Sequence, residues 1–172
     1  MQHQGINLKN KDDLHVLLFQ VAEIWMGFPV QCVREVFHKA SLILSPKTPS
    51  FLEGFLNLGG TAIPVLNLAR LFDLPEKQDH LYTPFIITQT GSSIMGFQVE
   101  AVSGIVAICR QHLLSVGEQK AFNDCVEYLA ELDEKRIHLL SMDKILIEQE
   151  TRAVAQFRQM AQERVSRISM TA

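Results

Sequence analysis

Two short apolar runs, Gly54-Phe55-Leu56-Asn57-Leu58 and Thr61-Ala62-Ile63-Pro64-Val65-Leu66, are separated only by Gly59-Gly60, and this restricts the chain more than any other single feature. The tight two-residue turns of hairpins use positive φ angles, which glycine adopts without a Cβ clash, so the dipeptide predicts a tight antiparallel hairpin. A lone hairpin is marginal in water and needs further strands with a shared apolar face. The chain has length enough to supply them: its 172 residues match one domain with a core of its own.

Other short runs follow the same style. His15 to Val21 and Ile24 to Phe28 flank the polar break Ala22-Glu23 and predict a second hairpin. Pro29 suits the first position of a helix, and Val30, Val33, Val36 and Phe37 recur at three-to-four spacing, so a helical turn with one face on the core is expected there. Trp25 and Phe28 read as core. Leu42-Ile43-Leu44 is closed by Ser45-Pro46-Lys47-Thr48-Pro49, whose prolines forbid a regular ladder and mark a loop. Leu68 to Leu74 fits a helical turn, and Pro75 to Thr83 is a polar connector between two halves.

Beyond the connector, Phe85 to Thr88, Ile94 to Val99 and Val102 to Ile108 predict three more strands, with Gly91-Ser92-Ser93 as a turn. A looser stretch, Cys109 to Asp124, precedes Val126 to Leu129 and Arg136 to Leu140, joined across Asp133-Glu134-Lys135. Many short strands between turn signals point to small barrels or a sandwich. From Asp143 the period becomes helical, with Val154, Phe157, Ala161 and Val165 on one face. A terminal helix of about five turns, packed by that face on a barrel, is expected.

Charge and residue chemistry exclude several functions. Lys+Arg 16 against Asp+Glu 19 gives −3, so no basic face for nucleic acid can be read. Met1 to Asp13 lacks the apolar core of a secretory signal, and no stretch of apolar residues is long enough to span a bilayer, so the chain reads as cytoplasmic without direct membrane insertion. Cys32, Cys109 and Cys125 form no Cys-x-x-Cys pair, and the six histidines show no His-x-x-x-His spacing, so neither a metal nor a cofactor site is expected. Gly91-Ser92-Ser93 is not a nucleophile elbow, Gly59-Gly60 is not followed by the Lys-Ser or Lys-Thr of a phosphate loop, and nothing pairs Glu35 with Glu53 for acid and base work. No catalytic residue is assigned.

The hairpin and its flanks resemble a known family. Gly54-Phe55-Leu56-Asn57-Leu58-Gly59-Gly60, followed by Ile63-Pro64-Val65 and Asn67-Leu68, is similar to the central signature of the CheW-like family of bacterial chemotaxis coupling proteins. That signature runs Gly-x-x-Asn-Leu-Arg-Gly, a few apolar residues, Pro-Val or Pro-Ile, then Asp-Leu. Val33-Arg34-Glu35-Val36 resembles the family's Val-x-Glu-Ile segment, and Gly96-Phe97-Gln98-Val99-Glu100-Ala101-Val102 its Gly-x-x-Val-Asp-x-Val. Pro49 with Phe51-Leu52-Glu53-Gly54 resembles the approach to the hairpin, and Ile137 to Leu146 the closing strand and short helix.

The resemblance implies a mainly β fold of two small SH3-like five-stranded β-barrel lobes packed together, with short helices and a C-terminal helix. It divides the chain into a polar segment 1–13, a CheW-like domain 14–147 with its connector near 75–83, and a C-terminal helix and tail 148–172. It implies a non-enzymatic adaptor that couples the cytoplasmic tips of chemoreceptors to the regulatory domain of a CheA-type histidine kinase. Receptor contacts would come from Val33, Glu35, Asn57, Leu58, Gly59 and Gly60, and Gly54, Pro64, Val65 and Gly96 would be structural members of the motif. Burial statistics alone read Val33, Val36 and Phe37 as core. At Gly59 the family usually carries Arg, and at Asn67 it usually carries Asp. Losing the guanidinium points to a divergent pathway, such as one steering pili or gliding, or to a specialised receptor. The competing reading is an SH3-like barrel protein that binds a peptide or small ligand in the groove between the lobes.

Overall fold

In a computed structural model that describes residues 12–38, 41–78, 83–116, 122 and 124–170, the first strand is buried on both faces. In β1 (Asp13–Val21), Val16 and Leu18 enter an apolar cluster with Ile108, Ala130, Ile137 and Leu139. Leu17, Phe19 and Val21 enter another, with Met26, Phe28, Leu66, Ile86 and Phe97. Side chains alternate across a strand, so one that divides its side chains between two cores has no polar face. This is why Val-Leu-Leu-Phe reads as a continuous run.

β2 (Ile24–Pro29) returns antiparallel to β1, with Val21 opposite Ile24, so the loop is Ala22-Glu23, at φ 50° and 64°. Glu100 steadies that turn by accepting the Ala22 N–H at 2.7 Å. Pro29 then leads into a single 3-10 turn, Val30–Cys32, followed by strand β3 (Val33–His38). The helical face expected through Phe37 is therefore confined to that turn. Valines at 30, 33 and 36 lose side-chain freedom in a helix and suit a pleat, and β6 (Pro84–Thr90) supplies the ladder, with Val36 opposite Ile86.

The remaining strands and α-helices among the described residues are β4 (Leu52–Leu58), β5 (Thr61–Asn67), α1 (Leu68–Leu71), β7 (Ser93–Gln98), β8 (Ala101–Cys109), β9 (Leu114–Ser115), β10 (Val126–Leu132), β11 (Lys135–Leu140) and α2 (Met142–Met170). They form a six-stranded sheet, β8-β1-β2-β11-β10-β9, and a five-stranded sheet, β3-β6-β7-β5-β4. The expected mainly β, two-lobed architecture with a terminal helix is present. The first sheet, however, carries the extra two-residue strand β9, and neither sheet closes into a barrel among the described residues.

Place for place, β8-β1-β2-β11-β10 repeats β3-β6-β7-β5-β4. Each unit has an antiparallel hairpin, β1-β2 or β6-β7, and the strand that follows crosses to the other unit: β3 pairs with β6, and β8 with β1. Each also has a parallel pair, β2 with β11 or β7 with β5, and a helix directly after β11 or β5. Met26-Gly27-Phe28 and Met95-Gly96-Phe97 occupy equivalent places, and the Phe28 and Phe97 rings meet with centroids 5.1 Å apart in the core between the sheets.

This exchange corrects the expectation of two halves around Pro75 to Thr83. That connector joins α1 to β6, and β5 and β6 belong to the same sheet. Chain order and lobe membership differ because β1 and β2 need β8 and β11 to complete their ladders. Residues 1–11 of the polar N-terminal segment and 79–82 of the connector lie outside the described residues.

Helix α2 has 29 residues, more than the expected five turns. Met142 and Ile145 are buried and fix its rotation. Arg152 binds Asp73 through both terminal nitrogens and donates to the Arg70 carbonyl at 3.2 Å, and Gln156 Nε2 donates to Ser50 Oγ at 2.9 Å. The Arg152 guanidinium holds the Asp73 carboxyl below the usual carboxylate range. At 100° per residue, the face carrying Val154, Phe157 and Val165 lies across the helix from Ile145, Arg152 and Gln156. The apolar face expected to pack on a barrel is exposed instead, at 51% for Val154, 53% for Phe157 and 56% for Val165.

The close packing at the repeated glycine is open to test. A Cβ on Gly27 would lie 2.3 Å from Val16 Cγ1 and 3.2 Å from Leu139 Cδ2, both on buried side chains. Gly27→Ala is expected to lower stability by about 1–3 kcal/mol in urea unfolding, as overpacking does. An unchanged midpoint would mean that the wall of the cluster yields freely.

Candidate functional site

The Gly59-Gly60 turn has the expected geometry. Leu58 pairs with Thr61, Gly59 and Gly60 have φ of 58° and 87°, and Asn57 Oδ1 accepts the Gly60 N–H at 2.9 Å. Asn57, Gly59 and Gly60 are exposed, whereas Leu58 is half-buried against the cluster of Leu56, Ile63, Val65, Phe85 and Ile87. Because β5 and β7 are parallel while β6 and β3 alternate in direction, the turn, the Gly91-Ser92 turn and the start of β3 share one end of the five-stranded sheet.

Val33 and Glu35 enter at that end opposite Thr88 and Ile87. They lie on edge strand β3, and residues 57–60 lie on the hairpin at the opposite edge, so the six form two ends of a rim. Val33 also packs partly against the main core. Glu35 and Glu53, on those opposite edge strands, are not brought together as a carboxylate pair.

The structural members of the motif converge more closely than their spacing suggests. Pairing runs Gly54 to Val65, Val65 to Gly96, Gly96 to Ile87 and Ile87 to Glu35, one transverse row across the whole sheet. Pro64 sits beside this row, opposite Phe55. A Cβ on Gly96 would come within 2.9 Å of Val65 Cγ2, so the row packs tightly because that position is bare.

A polar cluster that sequence reasoning missed surrounds Asn67, which is buried at the end of β5. Its Nδ2 donates to Glu53 Oε1 and Glu76 Oε1, both at 2.8 Å, and its Oδ1 caps α1 by accepting the Arg70 N–H at 3.1 Å. Arg70 joins the same carboxylates, Nε to Glu76 at 2.9 Å and Nη1 to Glu53 at 3.2 Å. Asn-Leu-Ala-Arg ahead of a short helix is an N-cap signal in sequence, but the two glutamates are brought in by tertiary folding.

Next to this cluster, a cavity of about 380 Å³ opens between the sheets, lined by Gln20, Asn67, Lys77, Gln98 and Glu100 among others. Lys77 Nζ lies 3.3 Å from both Glu23 and Glu100, whose carboxylates hold its ammonium above the ordinary range. The cavity's charges are thus paired with one another. Burial pushes the Cys32 thiol up to about 11 and Cys125 to about 12, so neither is a thiolate nucleophile at neutral pH. Burial likewise lowers the His138 pKa, with Nδ1 3.2 Å from the Trp25 carbonyl. Among the described residues no cluster of three His, Cys, Asp or Glu could hold a metal, and no helix is long and apolar enough to cross a membrane.

Residues 15–150 match the CheW-like domain family. The chain is similar to chemotaxis protein CheW of Thermotoga maritima, 29% identical over 136 residues that cover 79% of this chain and 89% of that protein. It is also similar to protein FrzA of Myxococcus xanthus, 30% identical over 140 residues, covering 80% of this chain and 88% of the relative. Among solved structures, scaffolding protein TtCheW from Thermoanaerobacter tengcongensis superposes with a TM-score of 0.72 at 27% identity, covering 76% of this chain and 90% of that one.

Asparagine at 67 carries a measurable consequence. Asn67→Asp would replace an amide that donates to two carboxylates by a third carboxylate, so it is expected to cost about 1–3 kcal/mol at neutral pH. Burial and like charge raise the new acid's folded pKa above its unfolded value of about 3.9, so the loss is full above the folded pKa and shrinks as pH falls toward 3.9. Urea unfolding of both proteins from pH 7 to 4 checks this, and a pH-independent difference would contradict it.

Proposed function

The chain belongs to the CheW-like domain family, and from that membership we propose how it works as a coupling adaptor in chemotaxis-type signal transduction. The match over residues 15–150 carries this reading, because it takes in both sheets and the row of motif residues that unites one of them. The adaptor holds two protein surfaces at a fixed separation and performs no chemistry of its own. Its partners are the regulatory domain of a CheA-type histidine kinase and the cytoplasmic tip of a chemoreceptor, and it works in the cytoplasm without cofactor, nucleic acid or membrane insertion.

The receptor tip is received at the end of the five-stranded sheet that carries Val33, Glu35 and the turn Asn57-Leu58-Gly59-Gly60. Apolar contact from Val33 and Leu58 carries the recognition where the family usually offers Arg at 59. This suits a divergent pathway, such as one steering pili or gliding, or a receptor specialised for this adaptor. Ligand binding in the groove between the sheets is not favoured, since the charged groups beside that cavity satisfy one another. Each contact is individually modest, and an array gains strength from many linked ones.

Two measurements test this reading. A pull-down with a CheA-type kinase and its receptor-tip fragment is expected to retain both, and retention of neither would overturn the adaptor assignment. In titrations against the cognate receptor tip, affinity should change less than about threefold between low and high salt, because buried apolar contact leaves few exposed charge pairs to screen. Gly59→Arg should favour a conventional receptor tip over the cognate one, with a small loss of stability because a side chain at φ 58° is strained. Steep salt dependence in the native protein would show that Gly59 is a neutral turn variant.

A further inference from the structure

Helix α2 has two faces, and the body of the protein uses only one. Ile145, Arg152 and Gln156 seat it on the body. On the opposite side, Ile147, Val154, Phe157, Ala161, Val165 and Ile168 form an apolar stripe interrupted once, at Glu150, with Ile147 65% and Ile168 71% exposed. The stripe runs about 30 Å at 1.5 Å per residue. Every residue from 157 to 170 is exposed, and a helix of that length standing in water is marginal by itself. The matched family region ends at residue 150, so most of the stripe belongs to this chain's own extension.

Charges beside the stripe select the occupant. Exposed Glu150 lies within its first part, between Ile147 and Val154, and exposed Arg158 and Arg164 border its second half. Two such helices laid parallel would set Glu150 against Glu150 and Arg164 against Arg164. Laid antiparallel about a two-fold axis near Phe157 and Arg158, they set Glu150 of one copy beside Arg164 of the other. Within one residue of that register Ile147 meets Ile168, Val154 meets Ala161 and Phe157 packs on its own copy at the axis, while Val165 lies over the stem of Glu150. Such an interface is isologous and closes at two copies. The body of each copy sits on the first half of its own helix, away from the stripe, so the two bodies lie at opposite ends of the pair.

We infer that two copies of this chain pair through an antiparallel contact of their α2 stripes, with Glu150 facing Arg164 across the axis. The dimer presents two receptor-facing hairpins and two kinase-binding bodies on one rigid link, which raises avidity toward clustered partners.

Sedimentation equilibrium of the full chain over a wide concentration range should give a dimer. Val154→Asp/Phe157→Asp, at exposed positions, should raise the dissociation constant at least tenfold. Unchanged fluorescence from Trp25, the single tryptophan, which lies on β2 far along the chain from the helix, would report that the body stays folded. Glu150→Arg and Arg164→Glu should each weaken the dimer several-fold, and the double exchange should return it to within about twofold of the native value. A monomer at every concentration, or a dimer indifferent to the stripe variant, would overturn the proposal. A dimer sensitive to the stripe but not restored by the charge exchange would overturn the antiparallel register. A chain that stays monomeric alone and uses the stripe to capture a receptor or kinase helix would overturn pairing with a second copy.

Discussion

Phe28 and Phe97 meet at the centre of a core to which both sheets contribute, and the rest of the molecule follows from that sharing. Phe19, Met26, Leu66, Ile86 and Val99 fill the same cluster, so removing either sheet would expose the apolar face of the other. The crossed strands β3 and β8 add ladders that bind each hairpin to a strand from the other part of the chain. A hinge between the lobes would have to open a packed aromatic centre and two sheets together. Stiffness of this kind suits a protein whose task is to hold two partners in register.

Local chemistry made the hairpins legible and concealed the sheets. Gly59-Gly60 and Asp133-Glu134 announce turns because few residues accept positive φ, and both turns lie where the sequence indicates. Val30, Val33, Val36 and Phe37 satisfy a helical period and a strand equally well over so short a span, and the presence of β6 decides between them. Strand order was out of reach: His138 and Trp25 are 113 positions apart and hydrogen-bond across neighbouring strands, a pairing that no window of sequence contains. At the candidate site, the turn at 57–60 was legible from glycine alone. The row joining Gly54, Val65, Gly96 and Glu35 was not, since it exists only after four pairings have formed.

Polar side chains then secure what the apolar core leaves adjustable. Asn67, Glu53, Glu76 and Arg70 tie β4, β5, α1 and the connector together, and Arg152 reaches from α2 to Asp73 and the Arg70 carbonyl. The terminal helix, which grows out of the six-stranded sheet, is thereby fastened to residues beside the five-stranded one. These contacts are partly exposed, and each contributes little alone. Together they set the direction in which α2 leaves the body.

The crossed topology also bears on how the chain is born. β1 and β2 leave the ribosome well before their partners, so β1 waits for β8, and β2 for β11, before their sheet is complete. With 113 positions between Trp25 and His138 and synthesis at roughly 5–20 residues per second, the interval is roughly 6–20 s. Throughout it the Val-Leu-Leu-Phe strand, apolar on both faces, has no lasting cover. A nascent chain of this design invites a holding chaperone early, and completion of this sheet is limited by the arrival of β8 and β11.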